Sequence, residues 1–171
     1  MKFVLRDLPT RQVLNEVATR YPGTDVSAVE TLMVLMRTSR DIFTEMESRL
    51  SSYGISQGKV ALLLLLFRNK GDRLTPSELA DKAGVTRGTI TGLIDGLERD
   101  GLIERKHHSS DRRMITIHLT DAAYELIERF LPTHFKNAEL LMSELTLEER
   151  ETLIDLLQKT LKGLEKVKDL P

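Results

Sequence analysis

The strongest structural signal in the chain is a pair of short helices, encoded by the segment LTPSELADKAGVTRGTITGLIDGLERDG. Thr75 and Glu78 form a capping box with a proline between them, which predicts that a helix begins directly after Thr75. Gly84 is typical of the end of a helix, and Thr86 is a suitable cap for the next one. Two short helices joined through a glycine turn form a helix-turn-helix motif. The motif limits the surrounding chain to a small set of mainly helical folds.

The second of these helices has one apolar face and one face of small polar residues. Its apolar residues recur at the spacing of a helix that lies on a core: Ile90, Leu93, Ile94 and Leu97. The opposite face and its flanks carry Arg87, Gly88, Thr89, Thr91, Gly92, Asp95 and Arg99. Glycines recur at positions 88, 92 and 96, although each costs about 0.8–1 kcal/mol relative to alanine inside a helix. This row predicts that another molecule comes close to the helix backbone.

DNA is the first candidate for this molecule. In a major groove the small face would let the helix backbone approach, and several side chains could then reach phosphates or base edges: Thr86, Arg87, Thr89 and Thr91. Gly88 and Gly92 would make the approach possible. A second protein packed on the helix is the alternative, and the motif by itself leaves both open.

Only one stretch of the chain alternates at the period of a β-strand. The segments LIERKHH and MITIHLT predict two strands, and SSDRR between them predicts the turn of a hairpin. One face should carry Ile115, Ile117 and Leu119, and the other Met114, Thr116 and His118. Between residues 103 and 118 four basic residues outnumber two acidic ones, although the net charge of the chain is −1. A helix-turn-helix followed by a basic hairpin is a winged helix, whose wing can place an arginine in the minor groove of DNA.

The hairpin tip allows several interpretations. His107 and His108 are adjacent and should point to opposite faces of a strand, which argues against a shared metal ion. Asp111 can form the turn, or it can pair with an arginine and set the shape of the tip. Arg112 and Arg113 are either solvated surface residues or contacts to DNA, and their position after the helix pair favours DNA.

Helical periodicity covers the rest of the chain, so we predict a mainly α fold with a small β-hairpin wing. Ahead of the motif, helices are expected at about residues 10–20, 25–50 and 56–67. The last of these has apolar residues on all sides, which predicts a central position in the fold.

Two further helices are predicted after the hairpin. Thr120 caps the first, which contains Pro132 and should bend there. Thr146 and Glu149 form a capping box for the second, which should end at about Lys168. The chain therefore divides into N-terminal helices over residues 1–55, a winged helix-turn-helix lobe over residues 56–119 and C-terminal helices over residues 120–171.

Composition argues against several classes of protein. Without cysteine, the chain of 171 residues forms no disulfide and no thiolate metal site. The sequence lacks HExxH, GxSxG and a phosphate-binding loop, and its four histidines show no metal-ligand spacing, so we predict no enzyme, metal or cofactor. The longest apolar run, Val60–Phe67, is too short to span a membrane, and the start does not resemble a signal peptide. We therefore expect a cytoplasmic protein.

At these residues the chain resembles the multiple-antibiotic-resistance regulator (MarR) family of winged-helix repressors. The most specific similarity runs from LTPSELADKAGVTRGTITGLIDGLERDGLIER through SSDRRMITIHLT. The resemblance implies a homodimer, in which residues 1–55 and 120–171 form the dimerisation region. Its two winged lobes would then bind a pseudo-palindromic DNA operator.

The resemblance also assigns roles to individual residues. It implies that Arg113 enters the minor groove, that Asp111 orients it, and that residues 86–92 contact bases and phosphates. Many relatives carry arginine or another polar residue at the positions of Gly92 and Gly96. Direct base contacts should therefore be fewer here, and recognition of DNA shape should contribute more to specificity. The helix before residue 25 and the sequence FLPTHF resemble the branch that represses multidrug efflux pumps.

Family members commonly release DNA when a small ligand binds. Because this chain has neither cysteine nor tryptophan, the resemblance argues against oxidant sensing and urate binding and implies a phenolic or aromatic anion. Arg37 and Arg40 lie on a methionine-rich helix, where they could pair with the carboxylate of such a ligand beside Met36 and Phe43. Hydrogen bonds of these arginines within the dimer, or exposure to solvent, fit the sequence equally well. The alternative function is a winged helix that binds proteins without specific DNA binding.

Overall fold

The structure is a computed structural model, which describes residues 7–69, 74–107 and 115–168. The elements in these ranges are α1 (Arg11–Ala18), α2 (Val26–Ser51), α3 (Gln57–Arg68), α4 (Pro76–Ala83), α5 (Arg87–Arg99), β1 (Ile103–His107), β2 (Ile115–Leu119), α6 (Asp121–Leu141) and α7 (Leu147–Lys168). Strands β1 and β2 pair as a two-stranded antiparallel sheet. The predicted fold, mainly helical with a β-hairpin wing, is confirmed.

The chain forms two compact units, of which the first ends at His118 and the second begins at Leu119. The first unit contains α1 to α5 together with the hairpin strands. At its centre lies α3, which contacts α2, α4 and α5. The buried residues of α3 point to several sides of the helix: Val60, Leu62, Leu63, Leu65 and Leu66. The prediction that the helix apolar on all sides is central is thus confirmed.

The helix-turn-helix consists of α4 and α5, and its ends are set by local hydrogen bonds. The Thr75 backbone N–H donates to the Glu78 carboxylate (2.7 Å), while the Glu78 N–H donates to the Thr75 hydroxyl (3.3 Å). The first of these bonds, followed by one from the Thr75 hydroxyl, lowers the pKa of Glu78 below its ordinary value. Gly84 ends α4 at a φ of +64°, a left-handed conformation that glycine adopts without steric cost. The capping box and the glycine turn therefore lie where the sequence predicted them.

The hairpin strands are attached to the first unit through buried residues and a backbone hydrogen bond. Ile103 and Ile117 are buried, and the Ile117 N–H donates to the carbonyl of Leu74, just before α4. Thr116, expected on the polar face, is buried as well. Its hydroxyl lies 3.3 Å from the Lys106 carbonyl and 2.9 Å from Nε2 of His118, so burial leaves no hydroxyl group unsatisfied.

The hairpin tip, residues 108–114, lies outside the described residues. The roles assigned to Asp111, Arg112 and Arg113 therefore stay predictions. The same holds for any pairing of His107 with His108.

The second unit consists of α6 and α7. Thr120 caps α6, which continues through Pro132 as one helix to Leu141. Its buried residues are Ala123, Leu126, Ile127 and Phe130. The predicted capping box of α7 is present, with the Thr146 N–H 2.8 Å from the Glu149 carboxylate and the Glu149 N–H 3.2 Å from the Thr146 hydroxyl. No residue of α7 is buried.

Within the described ranges, no helix combines the length and the apolar character needed to cross a membrane.

Candidate nucleic-acid interface

Helix α5 presents the small polar face that the sequence predicted. Its inner residues Ile90, Ile94 and Leu97 are buried, while Leu93 is half-buried. The residues of α5 and its cap that are proposed to meet DNA are exposed: Thr86, Arg87, Gly88, Thr89, Thr91 and Gly92. The structure therefore brings this part of the predicted site together on one accessible surface.

The threonines of this surface are held by hydrogen bonds within the helix. The Thr86 hydroxyl accepts from the Thr89 N–H (3.2 Å) and lies 2.9 Å from the Thr89 hydroxyl. Since only one hydrogen is used between two hydroxyls, the second hydroxyl hydrogen stays available to an outside acceptor. Thr91 donates its own hydrogen to the Arg87 carbonyl (2.8 Å), which leaves its oxygen as an acceptor. The surface thus offers both a donor and acceptors in fixed positions.

Arg87 supplies positive charge at the start of this surface. It is exposed, and no ion pair joins it to another residue in the described part of the chain. An exposed guanidinium can bind a phosphate or the edge of a guanine through two parallel hydrogen bonds. Arg87 and the N-terminal end of α5 therefore form a surface suited to an anion such as the DNA backbone.

The three glycines of α5 have different surroundings. A Cβ added at Gly92 would meet nothing within 4 Å, and one added at Gly88 would meet only the Thr86 hydroxyl at 3.9 Å. Gly96 is buried, and its Cβ would lie 2.8 Å from Cε of Lys59. Lys59 crosses the helix there to reach Asp100, with Nζ 2.5 Å from the carboxylate. Gly88 and Gly92 thus permit outside approach, whereas Gly96 makes room for a side chain of the same fold.

The four residues proposed to bind a ligand lie on α2, where the two arginines share one partner. Nε of Arg40 is 2.9 Å from the Asp41 carboxylate, and Nε of Arg37 is 3.6 Å from it. The hydrogen bond from Arg40 lowers the pKa of the Asp41 carboxyl below its ordinary value. Met36 and Phe43 are 52% and 59% exposed. The helix therefore carries two arginines, both paired with Asp41, together with exposed apolar side chains.

A cavity that the sequence did not predict lies among α3, α4 and α5. Its volume is about 270 Å³, and its lining includes Gly58, Ala61, Arg68, Lys82, Val85 and Leu93. None of the four residues proposed on α2 lines it. The sequence feature that could have indicated this cavity is the set of small residues that line it, Gly58, Ala61 and Ala83. These residues indicate a cavity only once α3 and α4 are known to be neighbours.

Comparison with known proteins identifies the family. The model of the MarR family matches residues 55–115. The HTH-type transcriptional repressor YetL of Bacillus subtilis (strain 168) is 38% identical over 165 residues, which cover 96% of this chain and 99% of YetL. The chain belongs to the MarR family. The Escherichia coli (strain K12) transcriptional repressor MprA is 26% identical over 159 residues, with 93% of this chain and 90% of MprA covered.

A solved structure of a MarR regulator on DNA is similar to this chain. The Staphylococcus aureus MepR–DNA complex matches with a TM-score of 0.70 and 26% identity, and the match covers 77% of this chain and 94% of the MepR chain. The MarR-family chain is therefore a DNA-binding transcription regulator of the winged-helix class and not an enzyme.

Proposed function

We propose that this MarR regulator is a homodimeric repressor, which binds a pseudo-palindromic operator and releases it when a small aromatic or phenolic anion binds. The observation that carries the proposal is the exposed small face of α5, whose residues 86–92 combine free charge, fixed hydroxyls and two open glycines. In each half of the operator, α5 enters the major groove. Arg113 at the wing tip enters the adjacent minor groove, with Asp111 and Arg112 beside it.

The glycines decide how α5 approaches DNA. With no side chain at Gly88 or Gly92, the helix backbone comes closer to the base edges than a helix with larger residues would. Arg87 then lies beside the phosphates, and the threonine hydroxyls lie beside phosphates or base edges. Because few long side chains reach the bases, much of the specificity comes from the shape of the grooves, which Arg113 reads in the narrow minor groove.

A second copy of the chain is the proposed partner of α7. Five apolar residues recur along α7 at intervals of seven, three, four and three, the spacing of a coiled-coil seam, and all are exposed: Leu147, Ile154, Leu157, Leu161 and Leu164. A continuous apolar stripe of this length marks an interface. A twofold dimer presents two α5 helices to two half-sites, which explains the expected pseudo-palindrome.

The DNA-binding proposal is tested by fluorescence anisotropy with DNA from the region upstream of the protein's own gene. Wild-type protein should bind tightly at about 50 mM salt and much more weakly at about 200 mM, because bound phosphates release counterions. Arg113→Ala should lower the affinity about 10- to 100-fold by removing a charged contact in each half-site. Arg129→Ala removes the same charge from an exposed position on α6 and should have little effect. Equal affinities of wild type and Arg113→Ala at both salts would contradict the wing contact.

The effector proposal places a carboxylate of the ligand against Arg40, with its ring on Met36 and Phe43. Salicylate is a suitable probe for isothermal titration calorimetry. Arg40→Ala should weaken salicylate binding about tenfold or more, because a charge-assisted hydrogen bond is lost. A ligand bound here releases DNA only if it favours a spacing of the two lobes other than the roughly 34 Å between successive major-groove faces.

Arg68→Ala is the matched control for this experiment, since Arg68 lines the cavity among α3, α4 and α5 instead. Unchanged heats for Arg40→Ala would remove α2 from the proposal. Heats lost only in Arg68→Ala would assign the ligand to that cavity.

A further inference from the structure

The carboxyl-terminal end of α5 carries an unexpected number of acidic residues for a DNA-binding helix. Asp95 and Glu98 lie in its last turns, and Asp100 caps it. Carboxylates at this end are unfavourable with respect to the helix dipole, and on the DNA-binding lobe they repel phosphates. Cations from two other elements offset both effects.

Arg105 of β1 bonds two of these carboxylates with one guanidinium. Its Nη1 is 2.5 Å from Glu98, and its Nη2 donates to Asp95. The two acids are three residues apart on α5, so they lie on one face of the helix. The Arg105 side chain is only 32% exposed. A planar guanidinium that bonds two fixed acceptors is restricted in direction as well as in position.

Lys59 bonds the third carboxylate, Asp100, from α3. The two contacts therefore hold α5 from different sides. Lys59 joins it to the central helix of the unit, while Arg105 joins it to the first strand of the wing. Of these two contacts, that of Arg105 connects the two parts of the protein that are proposed to bind DNA.

The position of Arg105 on β1 gives this contact a large effect further along the chain. Arg105 lies two residues before His107, where β1 ends, so the direction of this strand sets where the chain leaves it. At about 17 Å along the line of a strand, which is about five residues of extended chain, a change of about ten degrees displaces that line by roughly 3 Å, about the length of a hydrogen bond. The angle between β1 and α5 therefore affects where the chain beyond β1 meets DNA while α5 occupies the major groove.

We propose that Arg105 is a positioning residue for DNA binding, which fixes the wing strand on α5 through Asp95 and Glu98. The proposal rests on the DNA contacts proposed above for α5 and Arg113. A residue with this role need not touch DNA. Its loss uncouples the wing from the helix, so that the two parts no longer bind the operator in one register.

The sign of a charge effect separates positioning from simple electrostatics. The double variant Asp95→Asn, Glu98→Gln removes two negative charges from each DNA-binding lobe and leaves Arg105 unpaired. Electrostatics alone predicts tighter DNA binding, whereas loss of positioning predicts an affinity lowered about tenfold. Anisotropy on the same operator measures the difference. Affinity equal to or above that of wild type would overturn the proposal.

A double-mutant cycle tests the coupling between Arg105 and Arg113. Arg105→Gln should lower the affinity about tenfold, and Arg113→Ala should then have much less effect than it has in the wild type. Arg105→Lys should restore part of the affinity, because an ammonium reaches only one carboxylate well. If the losses caused by Arg105→Gln and Arg113→Ala simply multiply, Arg105 acts through its own charge and the proposal is wrong.

Lys106→Gln is the control for loss of charge from the same strand. Lys106 is the next residue along β1, so its side chain lies on the opposite face of the strand from Arg105, and it pairs with Glu104 at 2.5 Å. This variant should lower the salt dependence slightly and leave the effect of Arg113→Ala unchanged. Circular dichroism and thermal unfolding establish that each variant is folded.

Failure of the underlying DNA proposal has a different signature. If the wild type does not bind the operator, the function proposed above fails and the positioning role with it. If Arg113→Ala has no effect in the wild type, the wing contact alone is wrong. The variant Asp95→Asn, Glu98→Gln then still decides whether the contacts of Arg105 support binding by α5.

Discussion

Replacing Gly92 with leucine should abolish operator binding and leave the fold intact. Gly92 lies on the exposed face of α5, and a Cβ added there meets no atom within 4 Å, so the free protein accommodates the new side chain. In the complex the same side chain would stand between the helix backbone and the floor of the major groove. We expect the affinity for DNA to fall about 100-fold or more, a free-energy change of about 2.7 kcal/mol or more. Anisotropy measures the loss, and thermal unfolding measures the retained stability.

Alanine at the same position separates stability from binding more finely. Gly92→Ala should stabilise the protein by about 0.8–1 kcal/mol, because glycine is a poor helix former, and should raise Tm by about 2–4 °C. It should nevertheless bind DNA more weakly than the wild type. A variant with a higher Tm and a lower DNA affinity than the wild type would show that position 92 needs glycine for DNA binding and not for stability.

Gly96→Ala is the matched control in the same row of glycines. Its Cβ would lie 2.8 Å from Cε of Lys59, so the Lys59 side chain must move and its ion pair with Asp100 is disturbed. Tm should therefore rise less here than in Gly92→Ala, because the gain in helix propensity is offset by the disturbed ion pair. Undiminished DNA affinity in Gly92→Leu would contradict the proposed close approach and favour a glycine face used for another purpose.

These two glycines also show how far the sequence could predict the site. Periodicity placed Gly88, Gly92 and Gly96 in one row and suggested one purpose for all three. The structure assigns Gly96 to packing, because Lys59 crosses the helix at that point. Lys59 is far away in the sequence, and no local pattern indicates that its side chain lies over α5.

Local signals predicted the ends of the elements well. The two capping boxes, Thr75 with Glu78 and Thr146 with Glu149, are hydrogen bonds between residues three apart. Gly84 ends its helix through a backbone conformation that glycine favours. Such interactions need no knowledge of the tertiary fold, so the sequence specifies them directly.

Burial on the second face of the hairpin could not be predicted in the same way. Alternation placed Thr116 on the polar face, but alternation does not show whether that face is covered. Thr116 is buried, and the hydrogen bonds of its hydroxyl to the Lys106 carbonyl and the His118 ring offset the cost of that burial. The ion pairs of Arg105 were missed for a similar reason. From the sequence, Arg105 is one of four basic residues of the wing, whereas in the structure its guanidinium pairs with Asp95 and Glu98 of α5.

The double substitution Leu157→Glu, Leu161→Glu should convert the protein from a dimer to a monomer. Both residues are exposed in the single chain, Leu157 by 38% and Leu161 by 64%, so the substitutions remove little buried surface from it. In the proposed dimer the same positions lie in the seam of α7, where buried and unpaired carboxylates are strongly unfavourable. Sedimentation velocity should show a species of half the mass, with the helical content largely retained.

Loss of the dimer should also remove most of the affinity for the operator. Two linked lobes bind two half-sites with an avidity about 10²- to 10⁴-fold above that of one lobe, so the monomer should bind weakly and without preference for a pseudo-palindrome. Lys159→Glu changes charge on the same helix, at an exposed polar residue outside the seam, and should leave both mass and affinity nearly unchanged. If the leucine variant stays dimeric, α7 is not the interface, and the exposed apolar residues of α2, among them Leu32, Met36 and Phe43, become the surface to test. A dimer that persists together with lost DNA binding would instead assign α7 to the geometry of the lobes, because spacing and not association would then be altered.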